Sequence, residues 1–415
     1  MLHVDKVDSL QTERLLITAS GLKKTTCYKF TLKMHHENGT HSSHCVIRSG
    51  CDGKIDLTTD KPIRGTYHDA DPMGLFLSLQ PMDDVPFGKP AKFNLTRPVH
   101  YTLQLRNETE HLIDEKTLRK HFLHPLVSEI KTGPYTIFKP PGPGPFPCIL
   151  FIPGAYTVQI DRTAPILASE GFVVLTFLHQ DLKNSKELEL DVFEGPIQFV
   201  KTLPYSSGKI GLFGKSLGGA LSHYLSLKHS GISAVCAING TNSFSRIGLR
   251  EAENGSLVMS EEAVEAQPEV VNGIVNLAKM YRNVENLIPK LSMPWENASK
   301  ETAFRVVCSL DDWIVNLIPS SYEIRQTLQR KCSVEINLLP AGHIINPPYL
   351  PHQSFHSDKS SLRGIGGECL LHSKSQESVW RRNVEFFKKY LGVPPKIPDW
   401  KRETAIRPNT MCSKL

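Results

Sequence analysis

Lys209-Ile210-Gly211-Leu212-Phe213-Gly214-Lys215-Ser216-Leu217-Gly218-Gly219 is the stretch on which the reading of this chain turns. It holds Gly-x-Ser-x-Gly with Ser216 at the centre. The apolar run Ile210–Phe213 reads as a strand that enters the turn. Behind the turn, Leu217, Ala220, Leu221, Tyr224 and Leu225 recur at i, i+3, i+4, i+7 and i+8, the stripe of an amphipathic helix. A strand, a tight turn and a helix with serine at the apex form a nucleophile elbow, which exposes a hydroxyl at the end of a sheet. Gly214 and Gly218 allow strand and helix the close approach this needs. The Leu217 N–H, first in the helix, can face a developing oxyanion. Gly-Lys-Ser also occurs in phosphate loops, but that motif requires glycine where Lys209 stands, and Gly208 is one residue out of register. The bland alternative is a glycine-rich turn that merely packs a helix on a sheet.

A serine hydroxyl needs a base, and in such sheets the partners follow in the order serine, acid, histidine. Downstream, Phe304–Ser309 reads as a strand followed by two carboxylates, Asp311 and Asp312. Either could also cap the helix that comes next. Val334–Leu339 reads as a further strand, and His343 lies in the loop just past it. Ser216, Asp312 and His343 therefore fall in the required order, each at an expected strand end. His223 and His229 lie on the elbow helix and read as surface or packing residues. Lys215 reads as a solvated lysine. The loop after Phe151-Ile152, with Ala155 or a neighbour, is where a second oxyanion N–H is expected.

The chain has 415 residues, 40% hydrophobic and 22% charged, with net charge +6. That suffices for two or three folded domains. No segment reaches the roughly 18–20 apolar residues of a spanning helix, which argues against an integral membrane protein. The start, MLHVDKVDSL, has no apolar signal core. Nine cysteines without a C-x-x-C pair suit reduced thiols better than a disulfide framework. The basic residues are dispersed, so nucleic acid is not an expected partner. There is no H-E-x-x-H and no G-x-G-x-x-G after a strand, so neither a metal nor another cofactor is expected.

Residues 1 to about 105 read as all-β. Tyr28, Phe30, Leu32 and Met34 alternate with polar neighbours, as do Val99, Tyr101, Leu103 and Leu105, and turn clusters separate them. A small β-sandwich is expected there. The charged stretch 106–123 reads as a linker, and 140–147 as a rigid turn between strands. Beyond about 124, continuous apolar runs alternate with helix-like segments, which points to a largely parallel sheet covered on both faces. Residues 240–300 break that rhythm and read as a helical cap or insertion. The expected organisation is an N-terminal β-sandwich with linker over 1–118 and an α/β-hydrolase unit over 119–415.

The sequence closes on Ser413-Lys414-Leu415, the address tripeptide read by the peroxisomal import receptor. The expected location is the peroxisome matrix, where acyl groups are handled as CoA thioesters.

Taken together, the chain resembles the acyl-CoA thioesterase and bile acid-CoA:amino acid N-acyltransferase family, the type I acyl-CoA thioesterases, over nearly its whole length. The likeness is carried by Asp71-Pro72-Met73-Gly74-Leu75-Phe76, by Pro141–Pro147, by Ile238-Asn239-Gly240, by Gly342-His343 followed by Asn346-Pro347-Pro348-Tyr349, and by Gly366-Gly367-Glu368 with Trp380. The resemblance implies a β-sandwich before an α/β-hydrolase. It implies Ser216 as nucleophile, His343 as base, Asp312 as orienting acid and acyl-CoA as substrate. Lys215 stands where an apolar residue is expected. The activity expected on this reading is acyl-CoA hydrolysis. Family transferases, which move the acyl group to glycine or taurine, carry cysteine at the nucleophile position, so transfer is the near alternative. A non-catalytic acyl-CoA-binding protein is the distant one.

Overall fold

In a strand, successive side chains face opposite ways, so alternate residues share an environment. Strand Cys27–His36 buries Tyr28, Phe30, Leu32 and Met34, and strand Val99–Arg106 buries Val99, Tyr101, Leu103 and Leu105. The two pair antiparallel with Phe30 opposite Leu105, Leu32 opposite Leu103 and Met34 opposite Tyr101, so one apolar face runs across both. They are the centre of a seven-stranded sheet with Asp8–Leu10, Leu112–His121, Gly39–Arg48, Arg64–Gly65 and Gln80–Pro81. A three-stranded sheet of Leu2–Val4, Ile17–Ala19 and Ile55–Asp56 shares its core, with Leu2, Ile17 and Ile55 all buried. The computed structural model describes residues 1–155, 161–177, 187–242, 248–250, 257–259, 267–280, 293–357 and 361–399. Ser413, Lys414 and Leu415 lie outside the described residues.

The stretch 106–123 is not a linker. Most of it is the strand Leu112–His121, paired antiparallel with Val99–Arg106 and parallel with Asp8–Leu10. Glu115 and Arg119 face solvent while Leu118 and Lys120 point inward, a pattern that composition alone does not separate from a connector.

The second sheet has eight strands, labelled here β1 (Ser128–Thr132), β2 (Tyr135–Lys139), β3 (Phe146–Ile152), β4 (Val173–Phe177), β5 (Ser206–Lys215), β6 (Ile232–Ile238), β7 (Ala303–Ser309) and β8 (Val334–Leu339). Their spatial order is β1-β2-β4-β3-β5-β6-β7-β8. β1 and β2 are antiparallel to their neighbours, and every other pairing is parallel. Residues 140–145 turn the chain between β2 and β3, as expected. β3, β4 and β7 are buried along their whole length because helices cover both faces. Alternation still sorts their side chains. Ile149 and Phe151 join one core with α1 (Thr163–Ser169) and α5 (Cys369–Leu391), while Cys148, Leu150 and Ile152 join the other with α2 (Asp191–Lys201), α3 (Leu217–Lys228) and α4 (Ile318–Leu328). The first core is continuous with that of the N-terminal sheets.

One further expectation changes. Helix α3 is buried on all sides from Leu217 to Leu227, not amphipathic. Its outer face is covered by the segment carrying Trp295, whose ring lies 5.2 Å from that of His223. Of the stretch 240–300, expected as a helical cap or insertion, residues 243–247, 251–256, 260–266 and 281–292 lie outside the described residues; the described remainder holds short strands and 3-10 turns. Glu269–Val271 and Ile274–Asn276, for example, join Phe355–Ser357 and Leu362–Gly364 in a four-stranded sheet. Among the described residues no helix is long and apolar enough to cross a membrane.

Candidate active site

The elbow is sharp because two glycines let backbone meet backbone. A Cβ on Gly214 would lie 1.9 Å from the Gly218 carbonyl oxygen, and one on Gly218 would lie 2.1 Å from the Ile152 oxygen. Between them Ser216 adopts φ 53°, ψ −122°, a strained conformation for a residue with a side chain. The strain is held by neighbours. The Ser216 N–H donates to the Ile238 carbonyl of β6 at 2.8 Å, and its carbonyl accepts from Gly219 and Ala220. Ser216 is half-buried, and Leu217 opens α3 directly behind it.

The Ser216 hydroxyl meets an imidazole. Ser216 Oγ lies 2.9 Å from His343 Nε2, and His343 Nδ1 lies 2.7 Å from Asp312 Oδ2. Since a carboxylate only accepts, Nδ1 carries the proton and Nε2 is left to accept from the serine. Asp312 and His343 are each 9% exposed, so their contact is sheltered from water. The second oxygen of Asp312 accepts from the backbone N–H groups of Ile314 at 2.8 Å and Val315 at 3.0 Å, which fixes the carboxylate plane. Neither aspartate caps α4, which begins at Ile318. Asp312 caps the turn beneath itself. Asp311 turns the other way and accepts from Gly367 N–H at 2.8 Å and Trp313 Nε1–H at 3.0 Å. The two adjacent carboxylates thus have separate duties.

Asn239 ties the strand ends together. Its Nδ2 donates to the His343 carbonyl at 2.7 Å and to Ser309 Oγ at 3.0 Å, and its Oδ1 accepts from Ser309 N–H at 2.8 Å. Ser309 Oγ in turn donates to the Gly342 carbonyl at 2.8 Å. One buried amide thus bridges the ends of β6 and β7 and the histidine loop. Asn239 stands in the motif quoted above, but its spacing alone says nothing of this task.

The loop after β3 passes against the elbow. A Cβ on Gly154 would lie 3.6 Å from Ser216 Cβ and 3.2 Å from the Lys215 carbonyl, and Ala155 follows, half-buried. Lys215 is not solvated. Its Nζ donates to Thr163 Oγ1 at 2.7 Å, sits 3.5 Å from Asp161, and lies 5.8 Å from the Phe151 ring. Burial pushes its pKa down, opposed by the Asp161 charge. Lys215 belongs to the α1-covered face of the sheet, where a charge needs a partner. Among the described residues no three His, Cys, Asp or Glu side chains group as metal ligands do.

An elbow serine after β5, a carboxylate after β7 and a histidine after β8, on this sheet, define an α/β-hydrolase. The chain belongs to the acyl-CoA thioester hydrolase/BAAT family. Residues 12–132 match its profile described as "Acyl-CoA thioester hydrolase/BAAT N-terminal region", and residues 188–393 match "BAAT / Acyl-CoA thioester hydrolase C terminal". The chain is 28% identical to acyl-coenzyme A thioesterase 5 of Mus musculus over 91% of its own length and 94% of the relative's. It is 27% identical to peroxisomal succinyl-coenzyme A thioesterase of Mus musculus, over 92% and 94%. It is 28% identical to acyl-coenzyme A amino acid N-acyltransferase 1 of the same species, over 92% and 96%. Among solved structures, an acylaminoacyl peptidase complex covers 89% of this chain and 72% of its own at 13% identity, with a TM-score of 0.42.

Proposed function

We propose that this chain hydrolyses acyl-CoA thioesters to the free acid and CoA through an acyl-serine intermediate. The observation that carries the reading is the hydrogen-bonded row Ser216–His343–Asp312 at a strained elbow, with serine rather than cysteine at its head. His343 Nε2 takes the Ser216 proton as Oγ attacks the thioester carbonyl. The imidazolium that forms is stabilised by Asp312. The oxyanion rests on the Leu217 N–H and on an N–H of the 153–155 loop, with Ala155 the assigned donor. The C–S bond breaks, and CoA leaves as a thiol with the proton from His343. Water, deprotonated by the same imidazole, attacks the acyl-serine ester and releases the acid.

An acyl-cysteine is itself a thioester and passes its acyl group readily to amines, whereas an acyl-serine is an oxygen ester and less inclined to. Serine at position 216 therefore favours water as acceptor over glycine or taurine. CoA release from a panel of acyl-CoA substrates, with and without glycine or taurine, tests this when the products are analysed by mass. Free acid is expected throughout. Amide products would replace hydrolysis by transfer, and turnover that survives Ser216→Ala or His343→Ala would remove the site assignment. A fluorophosphonate probe should label the wild type and not Ser216→Ala; an unlabelled wild type would favour a non-catalytic binder.

We further assign the reaction to the peroxisome matrix, on the tripeptide Ser413-Lys414-Leu415 and its recognition by the import receptor. The peroxisomal relative supports this; another, acyl-coenzyme A thioesterase 2 of Mus musculus, is described as mitochondrial. A fluorescent protein fused ahead of the full chain should mark peroxisomes, and deleting residues 413–415 should disperse it.

A further inference from the structure

His343 stands in a loop that no sheet ladder holds, since β8 ends at Leu339. Its ring can face Ser216 only if its backbone is fixed. Its own peptide groups are engaged, the N–H with the Ile365 carbonyl at 2.9 Å and the carbonyl with Asn239. The groups on either side meet one further side chain. Gly342 N–H donates to His372 Nδ1 at 3.0 Å, and His372 Nε2 lies 3.1 Å from the Ile344 carbonyl. One imidazole therefore spans the catalytic residue from both sides.

The state of that imidazole follows from its partners. Of its three polar neighbours a backbone N–H can only donate, a carbonyl can only accept, and the Gln376 amide, 3.2 Å from Nε2, can present either, so Nδ1 is bare and Nε2 carries the proton. A proton on Nδ1 would confront the Gly342 N–H. His372 is fully buried, and burial, with the neighbouring His352, drives its pKa down to about 2, so the ring stays neutral. His352 stacks on it at 3.5 Å with an interplanar angle of 14° and directs Nε2 at the Gly366 carbonyl at 2.8 Å. The chain around the pair is built to fit. Gly367 has φ 86°, and a Cβ there would lie 2.7 Å from Gly342 N and 2.8 Å from His372 Nδ1. Glu368 then caps α5, accepting from Leu370 and Leu371, which places His372 in the first turn and directs it back at the loop.

We propose that His372 is a positioning residue that holds His343 at its distance from Ser216 by clamping the peptide groups on both sides of it. The inference rests on the reading of Ser216 and His343 as the reacting pair. Two features of a histidine are required together, an acceptor towards Gly342 and a donor towards Ile344. Phenylalanine fills the space and supplies neither. Asparagine can restore the acceptor near the Nδ1 position, and glutamine the donor near Nε2. A displacement of about 1 Å at a reacting group can cost about 100-fold in rate.

The test compares full-length His372→Phe, His372→Asn and His372→Gln by kcat and KM for acyl-CoA, with the folded fraction measured by circular dichroism at the assay temperature. His372→Phe should lower kcat about 100-fold with KM within about twofold, and Asn or Gln should regain about tenfold of that loss. If Phe does not fold, a folded Asn or Gln variant with reduced kcat and unchanged KM still supports the clamp. Wild-type kcat in any folded variant that lacks both bonds, a rise in KM alone, or a kcat that merely follows the folded fraction would overturn it. Failure of all three to fold would also overturn it, because the residue would then hold the fold and not the loop. Ser216→Ala and His343→Ala run alongside. If they are inactive while the His372 variants are normal, only the clamp fails; if they turn over, the assignment of the reacting pair fails first.

Discussion

Asp312→Asn replaces one carboxylate oxygen by an amide nitrogen, and the structure decides which one. Asp312 Oδ1 lies over two backbone donors, Ile314 N–H at 2.8 Å and Val315 N–H at 3.0 Å, while Oδ2 meets His343 Nδ1 at 2.7 Å. An asparagine must keep its oxygen over the two donors. The opposite orientation sets NH₂ against N–H and leaves two buried donors unpaired, at roughly 1–3 kcal/mol each. The NH₂ therefore faces His343 Nδ1 and donates to it. The imidazole accepts there and carries its proton on Nε2, facing Ser216, so the hydroxyl loses its base. The same acid-to-amide change in another Ser-His-Asp enzyme lowers kcat about 10⁴-fold with the geometry intact, which is about 5 kcal/mol of barrier. Asp312→Ala differs, because it also abandons both turn donors. Release of CoA thiol, followed with a thiol reagent, and thermal unfolding should therefore separate. Asn should lose about 10⁴ in kcat with Tm essentially unchanged, whereas Ala should lose activity and about 5 °C in Tm. Activity within tenfold of wild type in Asp312→Asn, or equal destabilisation by Asn and Ala, would refute the tautomer argument.

Three other perturbations follow from the packing. Burial lowers the pKa of His41 and His223 to about 4 and of His372 to about 2, against 6.5 in the unfolded chain. The unfolded chain then binds protons first as pH falls, so stability present above pH 6.5 is lost below it. At pH 5 each site costs about 2 kcal/mol, comparable in sum with a domain's whole stability. Urea midpoints equal at pH 7 and pH 5 would contradict this. Gly214→Ala drives a methyl to 1.9 Å from the Gly218 oxygen; a loss of about 3 kcal/mol or of soluble protein is expected, and an unchanged Tm would show the elbow to be looser than described. Lys215→Met removes the ammonium 3.5 Å from Asp161, which keeps its hydrogen bond from the Thr163 N–H, and should cost about 2 kcal/mol. Adding Asp161→Asn should recover part of it, and a double variant less stable than the single would count against the pairing.

Much of the architecture could be read from pattern. The alternation in Cys27–His36 and Val99–Arg106 marks strands with one dry face, and the unbroken apolar runs of β3, β4, β6 and β7 mark strands dry on both. These signals are local, because burial acts on each side chain in turn. What failed was reading where context decides. The charges of Leu112–His121 suit a linker as well as a solvent-facing strand. The polar residues of α3 suggested an exposed face until Trp295 covered it. Lys215 looked solvated because nothing in the sequence joins it to Asp161, 54 residues earlier.

The chain by itself determined that a serine sits between glycines at the end of a strand, and that an acid and a histidine follow later strands in order. Only the tertiary structure decided that Oδ1 of Asp312 is occupied by a turn, that Asn239 bridges three loop ends, and that His372 takes hold of both sides of His343. Such links depend on distances of about 3 Å between residues far apart in sequence, and a periodicity of two or 3.6 carries no information about them.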